Sequence, residues 1–272
     1  QWLGDPAVRR ALINSLASTN ALLRAHAVQA LEPLAQAHQP EVEAALAPML
    51  DDPKRSVRVN AAWALRGEVE PSSRAARELE HFLQLNADQP TGQLQLGTLR
   101  LAQRDTAAAL GHFQKAVEWD PNSAPLRHEL AVLYSMLGQP ARALTELQAA
   151  VRLAPTEAEY HYKLALAWNE TGDLPQTVAA LEQAVAVDPR HARAWYNLGL
   201  ARNATGDSAR AIEALYRAES ADARDARIPY ARATIHARQG EIPAARAAAQ
   251  RALDLEPGYA EARQLLNSLG SQ

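Results

Sequence analysis

Cysteine does not occur among the 272 residues. Disulfides, thiolate metal sites, a cysteine nucleophile and covalent haem attachment are therefore excluded for this chain. Aromatic residues are scarce, at 5% against 47% hydrophobic residues overall. A core must then be assembled chiefly from Ala, Leu and Val, which suits closely packed helices better than a sandwich or a barrel. No apolar run approaches the roughly 18 residues of a membrane-spanning helix, so no membrane insertion is expected. An excess of one charge is lacking too: 28 Lys and Arg stand against 31 Asp and Glu, a net charge near −3. Without a basic stripe, nucleic acid is not expected as a ligand. The chain starts with Gln1 and shows no basic-then-apolar leader, so it reads as an excised or processed piece.

What is present is repetition. One pattern of 34 residues recurs five times between Pro90 and Pro257. Pro121, Pro155, Pro189, Ala223 and Pro257 form one column, and Ala116, Ala150, Ala184, Ala218 and Ala252 another. Small residues recur at Gly97, Ala131, Ala165, Gly199 and Ala233, each preceded by leucine except the last, which follows Arg232. Large residues recur at Phe113, Leu147, Leu181 and Leu215, with Ala249 closing the column. Turn glycines stand at Gly138, Gly172, Gly206 and Gly240, and Arg104 takes that place in the first copy. Each copy is rich in Ala, Leu, Gln, Glu and Arg and is broken twice by turn pairs, which predicts a helical hairpin. The small column lets two helix axes approach, and the large column fills the space beside it. A single hairpin buries too little to fold alone, so neighbours must stack.

These columns resemble the tetratricopeptide repeat family, most closely in Trp195, Leu198, Gly199, Gly206, Ala211, Leu215 and Ala218, with Arg202 where the family usually has tyrosine. The resemblance covers about residues 71–272 and implies an all-α fold, a right-handed α-α superhelix. It divides the region into a half-copy 71–89, full copies 90–123, 124–157, 158–191, 192–225 and 226–259, and a closing helix 260–269. In the half-copy, Ala75, Leu79 and Phe82 match Ala109, Phe113 and Ala116 one period later.

Ahead of this array, residues 1–70 carry a different repeat. Helices are predicted over residues 5–17, from Asn20 with an end or bend at Pro33, from Pro40 through Met49, and after Asp52-Pro53 to Gly67. Leu23 to Leu31 aligns with Val57 to Leu65, which places Arg24 opposite Arg58. With the Asp-Pro pairs this resembles HEAT repeats, and the resemblance implies that Asp52 and Arg58 link successive hairpins. A plain four-helix cap is the alternative. HEAT-like helices followed by tetratricopeptide repeats also resemble the rear half of a bacterial exported multihaem protein family. That resemblance implies a periplasmic location, with the cytoplasm as the alternative, and confines redox chemistry to a missing front half.

No catalytic constellation emerges. No glycine-rich nucleotide signature follows a strand pattern, and the eight histidines form no His-Glu-x-x-His arrangement. They read as surface or packing residues, and Glu78 and Glu80 as solvated. Asp120, Asp188 and Glu256 read as turn or capping residues. No enzyme activity, cofactor or metal is expected. The leading function is a scaffold that binds a protein or peptide segment. The competing class is a structural or dimerisation arm, which leaves a homodimer open. The expected binding surface is a ladder on the first helix of each copy: Leu94, His128, Tyr162, Tyr196 and Tyr230 share one place. Leu166, Asn169, Leu200 and Asn203 continue the same faces, with Lys163, Arg193, Arg227 and Arg238 beside them, offset by Glu159 and Glu170. Such a surface suits apolar or aromatic side chains with one or two acidic residues. The alternative is that these tyrosines only complete packing between adjacent first helices. Leu94 and Thr98 occupy the places where chaperone-binding members hold a terminal carboxylate, so no dependence on a free C-terminus is expected.

Overall fold

The computed structural model describes residues 4–270, and these contain helices and turns without a strand. The chain divides into two compact units, Gln1–Pro121 and Asn122–Gln272. The change of repeat type near residue 70 does not coincide with that division, which falls inside the 34-residue array.

The first unit opens with α1 (Pro6–Ser15), α2 (Ala21–Gln36), α3 (Pro40–Leu46), a 3-10 segment (Ala47–Asp51) and α4 (Arg55–Ala64). Asp5 and Asn20 cap the first two helices by accepting from the backbone N–H of Ala7 and Leu22. Pro33 does not end α2, which continues to Gln36. Val28, Leu31, Val42, Leu46, Val57 and Ala61 form the centre of this core. Next come α5 (Arg74–Gln84), α6 (Pro90–Ala102) and α7 (Thr106–Trp119). Ala75, Leu79 and Leu83 of α5 share a core with Val59 and Ala62 of α4 and with Leu96 and Leu99 of α6. The half-copy is thus covered on both sides. Phe82 departs from expectation: it is 43% exposed, whereas its counterpart Ala116 is buried. Leu83, one residue on, is buried like its counterpart Val117 one period later.

An ion-pair ladder ties the HEAT-like hairpins together, and it corrects the expected link. Asp52 does not pair its carboxylate with Arg58. It accepts two N–H bonds from Arg24, at 2.7 and 2.9 Å, while Arg58 donates to the Asp52 backbone carbonyl at 2.6 Å. Arg58 directs its fork onward to Glu78, at 2.8 and 2.7 Å. The two arginines at equivalent repeat positions each reach forward to a carboxylate of the next element. Glu78 is therefore not a solvated residue.

The second unit holds four hairpins and a closing helix: α8 (Ala124–Met136) with α9 (Pro140–Leu153), α10 (Ala158–Glu170) with α11 (Leu174–Val187), α12 (Ala192–Ala204) with α13 (Ser208–Ala221), α14 (Arg227–Arg238) with α15 (Ile242–Leu255), then α16 (Ala260–Gly270). Asp173 and Asp207 cap α11 and α13 through the N–H of Gln176 and Arg210. Asp188 and Glu256 sit at the C-terminal ends of α11 and α15. Arg232, where the other copies have leucine, is buried and pairs with Glu219 under the ring of Tyr216.

One periodic device escapes a reading of apolar columns. His161 Nε2 donates to the Pro155 carbonyl at 2.9 Å, and Trp195 Nε1 to the Pro189 carbonyl at 2.9 Å. Gln93 does the same to Ala87, and Arg263 to Pro257. Four chemically different donors thus satisfy the same turn carbonyl in four copies, a carbonyl that the helix cannot reach.

The turn column accounts for its glycines. Gly138, Gly172, Gly206 and Gly240 have φ between +66° and +88°, and Arg104 is forced to +63° in the same place. A non-glycine residue there costs about 1–2 kcal/mol, partly offset by the greater chain entropy that glycine loses on folding. Arg104→Gly is expected to stabilise the first unit by about 0.5–1 kcal/mol in denaturant melts. A destabilisation would show that the arginine side chain does more than occupy the turn.

Candidate functional site

In the second unit, the first helices carry the expected ladder on consecutive turns. Leu166 and Asn169 of α10 face Asn197, Leu200, Ala201 and Ala204 of α12 across a cleft of about 250 Å³, floored by Ala165 and by Leu174, Thr177 and Leu181 of α11. Leu200 is 39% exposed and Asn169 is exposed. The cleft is therefore apolar in its walls and floor, with primary amides at its rim.

The aromatic places behave differently from an open row of rings. Tyr162 is only 6% exposed. Its ring packs within the core around Leu181 and Leu198, lies 4.8 Å from the ring of His191, and carries the Arg193 guanidinium 5.2 Å from its centroid. Its hydroxyl accepts from Asn197 at 3.2 Å. Tyr162 therefore completes packing between α10 and α12, a correction to its assignment as an accessible contact. Tyr196 is half-buried under Arg227, 5.7 Å from its centroid, and burial pushes its hydroxyl pKa up. Tyr230 meets Tyr259 at 4.9 Å, and His128 meets Tyr160 at 5.0 Å. At each of these four steps the next repeat supplies a cover, because adjacent first helices pack side by side.

The cations are partly committed as well. Arg227 forks onto Asp225, at 2.9 and 2.6 Å, which holds the Asp225 carboxyl below the usual carboxylate range and raises the arginine. It is thus not free to fork onto a partner's carboxylate, the role its position suggested. Lys163 and Arg193 share a single carboxylate, Glu159, at 3.6 and 3.5 Å, and His191 reaches it at 3.2 Å. Two permanent cations thus share one anion there, and the exposed Glu170 stands next to Asn169 at the cleft. Asn203 accepts from the Ser208 hydroxyl at 3.5 Å. Arg238 is exposed at the end of α14. Leu94 belongs to the first unit, where it is half-buried and its carbonyl accepts from the Thr98 hydroxyl at 2.9 Å.

The structure also gathers residues that sequence spacing did not connect. His38, Glu43 and Glu68 each place a ligand atom within 4.8 Å of the others. Glu68 follows a different helix from the other two, and no local spacing signals the convergence.

Comparison with known families assigns the two repeat types. Tetratricopeptide repeat models match residues 100–167 and 171–227, and a HEAT repeats model matches residues 9–93. The chain thus carries tetratricopeptide repeats preceded by HEAT-like repeats. Curated protein sequences give no match. Among solved structures, that of MamA is 26% identical, with a TM-score of 0.58, over 61% of this chain and 97% of that one. YrrB, described as a TPR protein with an unusual peptide-binding site, is 17% identical with a TM-score of 0.59, over 68% of this chain and 95% of that one. PilW, a type IV pilus biogenesis factor, is 18% identical with a TM-score of 0.61, over 71% of this chain and 90% of that one. The latter two show the fold alone. The chain is an all-α helical repeat protein, and no described helix is long and apolar enough to cross a membrane.

Proposed function

We propose that the chain is a non-enzymatic scaffold that holds an extended protein or peptide segment against the first helices of its second unit. The observation that carries this reading is the cleft between α10 and α12, where the repeated Leu166 and Leu200 stand with Asn169 and Asn197 around an apolar floor. Side-chain amides can pair with the N–H and carbonyl groups of an extended backbone. The floor takes one apolar side chain, and Lys163 and Arg193, which share Glu159, suit one acidic residue nearby. The rings contribute differently from the expected ladder: Tyr162 sets the spacing of α10 and α12, while Tyr196 and Tyr230 offer only part of their faces. YrrB, described as having an unusual peptide-binding site, supports the reading by analogy of fold.

A random peptide library displayed on phage and panned on the full chain tests this. Peptides rich in one apolar and one acidic residue are expected to enrich, and a synthetic peptide from that pool should lose about 10-fold or more affinity to the Leu166→Ser/Leu200→Ser variant, a loss of roughly 1.4 kcal/mol. Leu166 and Leu200 are not fully buried, so the variant's circular dichroism should match the parent. Equal binding by the variant, or no enrichment over it, would overturn the site. The alternative, a structural or dimerisation arm of a larger periplasmic multihaem protein, draws on the burial of Tyr162, but no comparison links the chain to a haem protein. A periplasmic setting belongs with this proposal, and fractionation of the source cells tests it.

A further inference from the structure

We infer that His38, Glu43 and Glu68 form a Zn2+ site that staples together the C-terminal ends of α2 and α4. One ligand atom from each side chain lies within 4.8 Å of the other two, so that rotation of the exposed His38 and Glu68 side chains can bring all three to the roughly 2.0–2.2 Å of a zinc–ligand bond. The ligands come from three places: His38 from the turn after α2, Glu43 from α3, and Glu68 from the turn after α4. The backbone at each place is held by a hydrogen bond. The His38 N–H donates to the Ala35 carbonyl at 2.9 Å, Glu43 to Gln39 at 3.1 Å, and Glu68 to Leu65 at 2.7 Å. The two helix ends are themselves joined, because Gln36 Nε2 donates to the Ala64 carbonyl at 2.6 Å.

The donors at this place suit a cation, and the nearby Arg9 is bonded to Gln39 and paired with Glu41. Two carboxylates converge there around one imidazole, His38 Nδ1 lying 3.2 Å from Glu43. The C-terminal ends of α2 and α4 add partial negative charge. Arg66, on the turn after α4, is committed to Glu32 and to the Trp63 carbonyl. One imidazole with two carboxylates is a zinc donor set, neutral overall once the ion is bound, and three protein ligands leave a fourth position for water. The imidazole counts against Mg2+ and Ca2+, which take oxygen ligands. His38 is exposed, which gives the ion an open path. None of these residues touches the α10–α12 cleft, so the inference stands independently of the peptide reading.

The test is a titration of the full chain, stripped with a chelator, with zinc chloride by calorimetry, together with thermal melts. One saturable equivalent is expected, with a melting midpoint that rises with free zinc because the ion binds only the folded ends. His38→Ala and Glu68→Gln should each lower zinc affinity by at least the roughly 10-fold that losing an outer-shell partner costs, and should remove the thermal shift. Both side chains are exposed, so their zinc-free circular dichroism should match the parent. His81→Ala, exposed on α5, should bind zinc as the parent does. No saturable binding, undiminished binding by His38→Ala, or an equal thermal shift with Mg2+ or Ca2+ would overturn the assignment.

Discussion

Gly199→Leu is expected to lower the thermal midpoint of the second unit more than any substitution on its surface. A Cβ added at Gly199 would stand 2.6 Å from Leu215 Cγ and 3.1 Å from the Ala211 carbonyl oxygen. Leu215 is fully buried and has no open side to move into. Overpacking a dense core costs about 1–3 kcal/mol, and here the first added carbon already collides, which places leucine at or above the upper end. For a unit of this size that corresponds to a fall of roughly 6 °C or more. Gly97 has the same relation to Phe113, with a Cβ contact of 2.3 Å, so Gly97→Leu should act alike on the first unit. Gly199→Ala combined with Leu215→Ala should be milder than Gly199→Leu, because the last copy already places Ala233 and Ala249 in one core. A melt unchanged by Gly199→Leu would remove this column from the helix crossing.

The second large effect is expected in the ion-pair ladder of the first unit. Asp52 is buried, accepts both Arg24 bonds and also takes the Lys54 N–H at 2.8 Å. The Arg24 fork holds its carboxyl below the usual range. Asp52→Ala leaves the Arg24 guanidinium buried without its anion, the change that makes broken buried pairs so destabilising. Its loss of stability should clearly exceed that of Glu41→Ala, which removes an exposed pair with Arg9 and should cost about 1 kcal/mol or less.

The same ladder sets an acid limit. Hydrogen bonds from Arg58, and then from Arg74, lower Glu78 from an ordinary 4.5 to about 2. A depressed folded pKa gives stability that is complete above the unfolded value and is lost as pH falls through the folded one. Stability of the first unit should therefore fall between about pH 4.5 and pH 2, with Asp52 contributing in the same direction. Glu78→Gln should be less stable than the parent at neutral pH and lose less on acidification. Denaturant midpoints measured at both ends of that window check it, and parallel acid curves for parent and variant would contradict the pairing.

Much of the fold was legible because the repeated contacts are local and every copy states them again. Gly97 against Phe113 and Gly199 against Leu215 lie within one hairpin, so the columns of small and large residues disclose both the helices and their crossing. The repeat architecture was legible for the same reason, and the absence of cysteine excluded covalently attached haem directly. Contacts between elements that differ in kind were not. Arg24 and Arg58 were visible as equivalent positions, yet only the packing of α2, α4 and α5 decided that they reach Asp52 and Glu78. Phe82 is exposed where its counterpart Ala116 is buried, a difference that the 34-residue register does not describe. Tyr162 stood in a column that suggested an open ladder, and the approach of α12 buried it beneath Arg193. The sequence by itself determined which residues recur and therefore which helices pair. The tertiary structure alone decided which side chains remain reachable and which charges meet, because solvent exposure and convergence of groups such as His38, Glu43 and Glu68 depend on neighbours that no spacing along the chain specifies.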